Sequence, residues 1–161
     1  MVLNRDLREF VALLNEKNVK YLVIGGYAVA YHGFPRYTKD IDIWVWLNEE
    51  NAQKVLEVIH AFGMKSMNIL VDDLINKDTV IQLGMPPNRI DILTDLENLD
   101  FETCFEQREI ADIGGLEISF LDIDNLITAK LNAGRPQDKV DVKKLRERKR
   151  KKIMSLQKTV C

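Results

Sequence analysis

The sequence predicts a mixed α/β (α+β) chain built on one small mixed sheet, with helices packed against it and a helical C-terminal segment. Three observations carry that expectation. Helix-spaced apolar stretches alternate with short buried runs, the segments DIDIWVWL and NRIDIL alternate with a period of two, and glycine or proline punctuates the boundaries.

The elements follow in order. Leu7, Phe10, Val11, Leu13 and Leu14 recur at helical spacing, so an amphipathic helix opens the chain. KYLVIGG then reads as a buried strand ended by glycine, and Tyr27 to His32 as a short helix stopped by Gly33 and Pro35. DIDIWVWL is a strand, followed by a helix from about Glu49 to Phe62. TVIQLGMPPNRIDILTDL reads as two strands joined at Pro86-Pro87, and GGLEISFL as one more. Asp122 is placed to cap a helix over Ile123 to Ala133, and Pro136 to occupy the first turn of a last helix that continues into the basic end.

At 161 residues, 46% of them hydrophobic, the chain suits a single core. No apolar run approaches the ~18 residues of a membrane helix, and the N-terminus has no secretory pattern, so a soluble, cytoplasmic protein without membrane contact is expected. Cys104 and Cys161 offer neither a disulfide framework nor metal-ligand spacing and are read as reduced. The net charge of −2 hides an asymmetry: from Lys143 onward nine Lys/Arg face one Glu, while the rest of the chain carries a net −10. Residues 1–142 are therefore read as the domain and 143–161 as a basic helix end or tail, a candidate for nucleic-acid contact.

Strand alternation identifies the chemistry. Asp40, Asp42, Trp44 and Trp46 share one side of their strand and Ile41, Ile43, Val45 and Leu47 the other, so the two aspartates project together from an aliphatic anchor. In NRIDIL the same rule sends Asp91 outward, and if the strands are neighbours three carboxylates converge. Crowded like charges call for a neutralising partner, and hard divalent ions with oxygen ligands, Mg²⁺ or Mn²⁺, meet that need together with substrate phosphates. Gly25 and Gly26 allow close backbone approach by a phosphate. Arg36 and Lys39 stand where they could reach one, or are simply loop charges. Trp44 and Trp46 either stack a nucleobase or are buried beneath the C-terminal helices. Arg135, Asp138 and Asp141, at helical spacing, are either a solvated salt-bridged face or functional groups.

GGYAVAYHGFPRYTKDIDIWV resembles the glycine-glycine, spacer, Asp-hydrophobic-Asp signature of the DNA polymerase beta-like nucleotidyltransferase superfamily, with 13 residues between Gly26 and Asp40. RIDIL is similar to the strand that supplies the third acid, and AKLNAGRPQDKVDVKKL to the Lys-then-Arg-Asp-Asp region of small bacterial members, including abortive-infection toxins of toxin–antitoxin pairs. Gly26 stands where many members carry serine, and the large helical substrate domain of others is missing. The resemblance implies the nucleotidyltransferase fold and metal-dependent transfer of a nucleoside monophosphate from a nucleoside triphosphate to a hydroxyl or phosphate on RNA, protein or a small molecule. By it Asp40, Asp42 and Asp91 are metal-binding and catalytic, Gly25 and Gly26 nucleotide-binding, and Lys130 both nucleotide-binding and catalytic; Arg36 and Lys39 are nucleotide-binding candidates by their position before the carboxylates alone. It also implies a toxin or antitoxin partner. The rival expectation is an idle relative acting as antitoxin or nucleic-acid-binding adaptor.

Overall fold

The structure is a computed structural model and describes residue 1 and residues 3–160; Cys161 lies outside the described residues. The elements run α1 (Arg5–Glu16), β1 (Tyr21–Ile24), α2 (Gly25–Tyr31), β2 (Asp40–Val45), α3 (Glu49–Ala61), α4 (Val71–Ile75), β3 (Val80–Leu83), β4 (Arg89–Leu93), α5 (Phe101–Glu106), β5 (Glu109–Ile113), β6 (Leu116–Phe120), α6 (Ile123–Ala133) and α7 (Pro136–Val160). The six strands form one mixed sheet in the order β3-β4-β2-β1-β6-β5.

Local chemistry sets the boundaries. The Asn4 side chain accepts a hydrogen bond from the Leu7 N–H at 2.9 Å and starts α1, whose Leu7, Phe10, Val11 and Leu14 are buried. Asp122 caps α6 as the sequence predicts, accepting from the Asn125 N–H, and Gly134 ends it in the left-handed conformation at φ 66°. Three elements are not evident from the sequence: α4, α5 and the edge strand β5. Each is short, and α5 is announced only by Asp100, whose side chain caps it through the Thr103 N–H.

The sheet brings the two aspartate-bearing strands together. Strands β2 and β4 run parallel as neighbours, with Asp40 opposite Arg89 and Asp42 opposite Asp91. Ile41, Ile43 and Val45 of β2 and Ile90 and Ile92 of β4 are buried in the main core with residues of α1 and α3. Fully burying such side chains is worth ~1.5–3 kcal/mol each, several times the cost of like charges facing across a sheet, ~1 kcal/mol or less, so burial holds the acidic strands in register. Further along β2, Trp44 is buried edge-on against Phe101 of α5, ring centroids 5.0 Å apart, rather than beneath the C-terminal helices. Trp46 is half-buried with the Lys20 ammonium 4.6 Å above its ring. Neither tryptophan lines the acidic cleft.

Helix α7 is continuous, so the change from acidic to basic composition falls inside one helix. Lys149 ties it to Asp124 of α6 at 2.6 Å, while Arg150, Lys151 and Lys152 are exposed. Cys104 is a buried free thiol, its pKa pushed up to about 11, first by burial and then by Asp122 and Asp100. Among the described residues no helix is long and apolar enough to cross a membrane.

Candidate active site

A cleft of about 620 Å³ opens where β1 turns into α2, bordered by the N-terminal ends of β2 and β4 and by α6 and the start of α7. Asp40, Asp42 and Asp91 meet on its floor, each offering an oxygen within 4.8 Å of those of the other two. The meeting is a matter of register: parallel pairing sets Asp42 beside Asp91, and alternation puts Asp40 on the same side as Asp42.

Their environments differ. Asp42 is partly buried, and its pKa is pushed up to about 7, first by burial and then by repulsion from Asp40 and Asp91, against a weaker pull from Lys130 and Arg135. At about 1.4 kcal/mol per pH unit, ionising Asp42 costs roughly 4 kcal/mol more than ionising a free carboxyl. Burial also raises Asp91, opposed by its bonds from Arg89 and reinforced by Asp40. Arg89 engages Asp40 and Asp91: Nη2 donates to Asp40 Oδ2 at 2.7 Å, Nε to Asp91 Oδ1 at 2.8 Å, and Nη2 to Asp91 Oδ2 at 3.0 Å. Arg89 is a member of the site that the sequence motifs alone do not single out. A signal for it exists, since it lies two residues before Asp91 and therefore on the same side of the strand.

Close approach explains both glycines. Gly25 adopts φ 65°, and a Cβ there would overlap the Asp42 carboxylate. A Cβ on Gly26 would come within 2.9 Å of the Thr38 hydroxyl oxygen, so Thr38 fills the space that a serine at this position would need.

On the opposite wall, Lys130 of α6 reaches α7. Its Nζ lies 3.1 Å from Asp138 Oδ1 and 3.0 Å from Asp141 Oδ2, and all three side chains are buried. Arg135 Nε donates to Asp138 at 2.7 Å, and Arg36 Nη2 to Asp141 at 3.1 Å. Burial pulls the Asp138 pKa upward, but the bonds from Arg135 and Lys130 outweigh it and hold the carboxyl below its usual range. Asp138 and Asp141 are thus neither a solvated face nor open to the cleft as free acids; they form a buried ionic lock. Of the cations named from sequence, Arg36 and Lys130 belong to this lock while also lining the cleft, and Lys39 lines it as an exposed side chain.

The donor set fits a hard divalent ion: three carboxylates, no thiol or imidazole, and oxygens close enough for one ion with bonds of ~2.0–2.6 Å to span. Burial raises Asp42 first and the charges of Asp40 and Asp91 add to it, and such an ion would offset both by favouring the ionised carboxylates.

No curated protein matches the chain, whereas solved structures do. A protein from Thermotoga maritima assigned as a nucleotidyltransferase aligns with TM-score 0.59 and 20% identity over 87% of this chain and 89% of its own. The lincosamide antibiotic adenylyltransferase LnuA, in its lincomycin-bound structure, gives 0.55 and 18% over 90% and 97%. ANT(2″)-Ia in complex with adenylyl-2″-tobramycin gives 0.54 and 13% over 86% and 84%. At these identities the likeness is one of fold, and the mixed sheet with its helices is the nucleotidyltransferase fold. A family model matches residues 3–160, nearly the whole of the chain, and the protein therefore belongs to the family described as "Nucleotidyltransferase of unknown function (DUF6036)".

Proposed function

We propose that this protein transfers a nucleoside monophosphate from a nucleoside triphosphate to a hydroxyl or phosphate acceptor, with a divalent ion, Mg²⁺ or Mn²⁺, held by Asp40, Asp42 and Asp91. The observation that carries the reading is the convergence of three carboxylate oxygens within 4.8 Å beside a glycine turn where a Cβ would crowd Asp42 and Thr38. The ion would supply charge neutralisation for the phosphates and a lowered pKa for an oxygen nucleophile.

The chain's own residues do the rest. Gly25 and Gly26 leave the turn beside the carboxylates bare of side chains, so a triphosphate can lie close to the backbone there. Lys39, exposed on the rim, and Lys130, fixed by Asp138 and Asp141, place positive charge along the cleft where phosphates would lie. Asp91 matches the third acid of the superfamily signature and is assigned to assist deprotonation of the attacking hydroxyl.

The acceptor is RNA, protein or a small molecule. LnuA and ANT(2″)-Ia are antibiotic-modifying by description, which favours a small hydroxyl compound. Beside the cleft, a cavity of about 440 Å³ lined by Tyr27, Pro35, Arg36, Tyr37, Thr38 and Pro87 has room for one and contains no carboxylate. A toxin–antitoxin pair is a second setting for the same chemistry.

Incubation with each labelled triphosphate and Mg²⁺ or Mn²⁺, plus cellular RNA, protein and small-molecule extract, tests the reading. Transfer of label is expected from wild type and not from Asp42→Asn. Failure of every triphosphate to label any acceptor overturns it. The alternative, an idle relative acting as antitoxin or nucleic-acid-binding adaptor in the cytoplasm, draws on the basic end of α7, where Arg148, Lys149, Lys151 and Lys152 border a cavity of about 470 Å³ beside Tyr31 and His32.

A further inference from the structure

We propose that Arg89 is a built-in counter-ion that occupies the metal position until a triphosphate draws its guanidinium away, so that metal and nucleotide bind as one unit. The proposal rests on the metal-site reading above and adds a device to it. One guanidinium satisfies three carboxylate oxygens of Asp40 and Asp91 through bonds of 2.7, 2.8 and 3.0 Å. An ion bound by all three aspartates needs an oxygen of Asp91, and Arg89 holds both of them while placing its own charge beside the site. Coordination by the full set of three aspartates therefore requires Arg89 to release Asp91.

The surroundings let it leave in one direction. Arg89 is the first residue of β4, follows the exposed Gly84–Asn88 turn, and has a side chain 27% exposed, so solvent and an incoming ligand can reach the guanidinium. It lines the cleft with Arg36, Lys39, Lys130 and Arg135. Three of those four are already committed to Asp138 and Asp141, so they are poor candidates to follow a ligand. Once an ion takes Asp40 and Asp91, a triphosphate in the cleft is the nearest anion for a displaced guanidinium, whose fork matches phosphate oxygens. Each ligand then removes an obstacle to the other, and the coupling is reciprocal.

Mn²⁺ binding followed by electron paramagnetic resonance, with and without a non-hydrolysable triphosphate, tests this on wild type, Arg89→Met and Arg89→Lys. Arg89→Met should bind Mn²⁺ alone about fivefold or more tightly than wild type, should bind triphosphate about tenfold less tightly in the presence of metal, and should lose most of the enhancement that triphosphate gives to wild-type Mn²⁺ affinity. Arg89→Lys, which keeps the charge without the fork, should fall between them. If removal of the charge prevents folding, the lysine variant carries the measurement, since a weaker hold on the carboxylates should by itself tighten Mn²⁺ binding. Wild-type or weaker Mn²⁺ affinity in a folded variant, with wild type binding Mn²⁺ in the presence of triphosphate, overturns the Arg89 proposal and leaves the metal site standing. No Mn²⁺ binding by any of the proteins under either condition overturns both.

Discussion

Two groups of aspartates face each other across one cleft and have opposite electrostatic surroundings. On the strands, Asp40 and Asp91 share Arg89, and Asp42, which Arg89 does not reach, is left with a pKa pushed up to about 7 by burial and then by its acidic neighbours. On α7, two carboxylates share Lys130, Arg135 and Arg36 and are fully enclosed. The first group is short of positive charge, and the second has it in full. A carboxylate kept under-neutralised at an opening is poised for an incoming cation, whereas one neutralised in the interior joins two helices. Proximity to a cleft does not distinguish them; charge balance does.

The largest expected effect breaks the comparison at its acidic side. Asp42→Asn should lower nucleotidyl transfer by on the order of a thousandfold or more, the scale of several kcal/mol of charge stabilisation, while leaving the metal-free melting temperature unchanged or higher because a repulsive charge is gone. Turnover assays beside thermal melts check this, and a variant that melts well below wild type without metal would place Asp42 among the structural acids.

On α7 the forecast reverses. Asp141→Asn removes a partner from the buried ammonium of Lys130 and from Arg36, which should cost about 3–5 kcal/mol in urea denaturation. Transfer by the fraction that remains folded should change far less than in Asp42→Asn. Equal stability in the two variants would erase the distinction.

The two groups should also respond to pH with opposite sign. The folded-state pKa of Asp42 lies above its unfolded value near 4, so its contribution is fully present below that value and is lost as pH rises through about 7. Asp138 is held below its ordinary value, so its contribution is present above the unfolded pKa and is lost as pH falls through the depressed one. Metal-free stability should therefore decline between about pH 4 and 7, and Asp42→Asn should flatten that decline. Asp138→Asn should leave that window alone and reduce the loss of stability below it. Denaturation across the range reads both.

The smallest effect lies beyond both groups, on the exposed end of α7. Replacing Arg150, Lys151 and Lys152 with Gln should weaken binding to single-stranded RNA and reduce its salt dependence by about 0.7 for each phosphate no longer neutralised, without touching the melting temperature. Filter binding at several salt concentrations measures it, and an unchanged slope would confine that charge to solubility.

The sequence makes the strand-borne group readable because side-chain direction in a strand has a period of two. Asp40, Asp42 and Asp91 need only the pairing of β2 with β4 to meet, and DIDIWV and RIDIL show their aliphatic sides plainly. The lock on α7 is harder to read. Its helix is mostly polar, with Val142 and Leu145 the apolar residues on the side of Asp138 and Asp141, and whether those acids are wet or dry depends on where Lys130 of another helix comes to rest. Trp44 misleads for a related reason: alternation gives its side of the strand but not α5, a six-residue helix with too little periodicity to register in the sequence, which covers it. Edge strand β5 likewise lacks a full buried side, its residues alternating only between half-buried and exposed.

Gly25 has a genetic consequence. Because a β-carbon there would collide with the Asp42 carboxylate, alanine, one nucleotide change away in any glycine codon, would disarm the cleft while sparing every charge in it. Position 25 thus offers the laboratory a charge-neutral variant in which loss of the proposed transfer, with nucleic-acid binding kept, would be read apart from any change in net charge. At φ 65° any side chain is strained as well, so the turn itself calls for glycine independently of the carboxylate beside it.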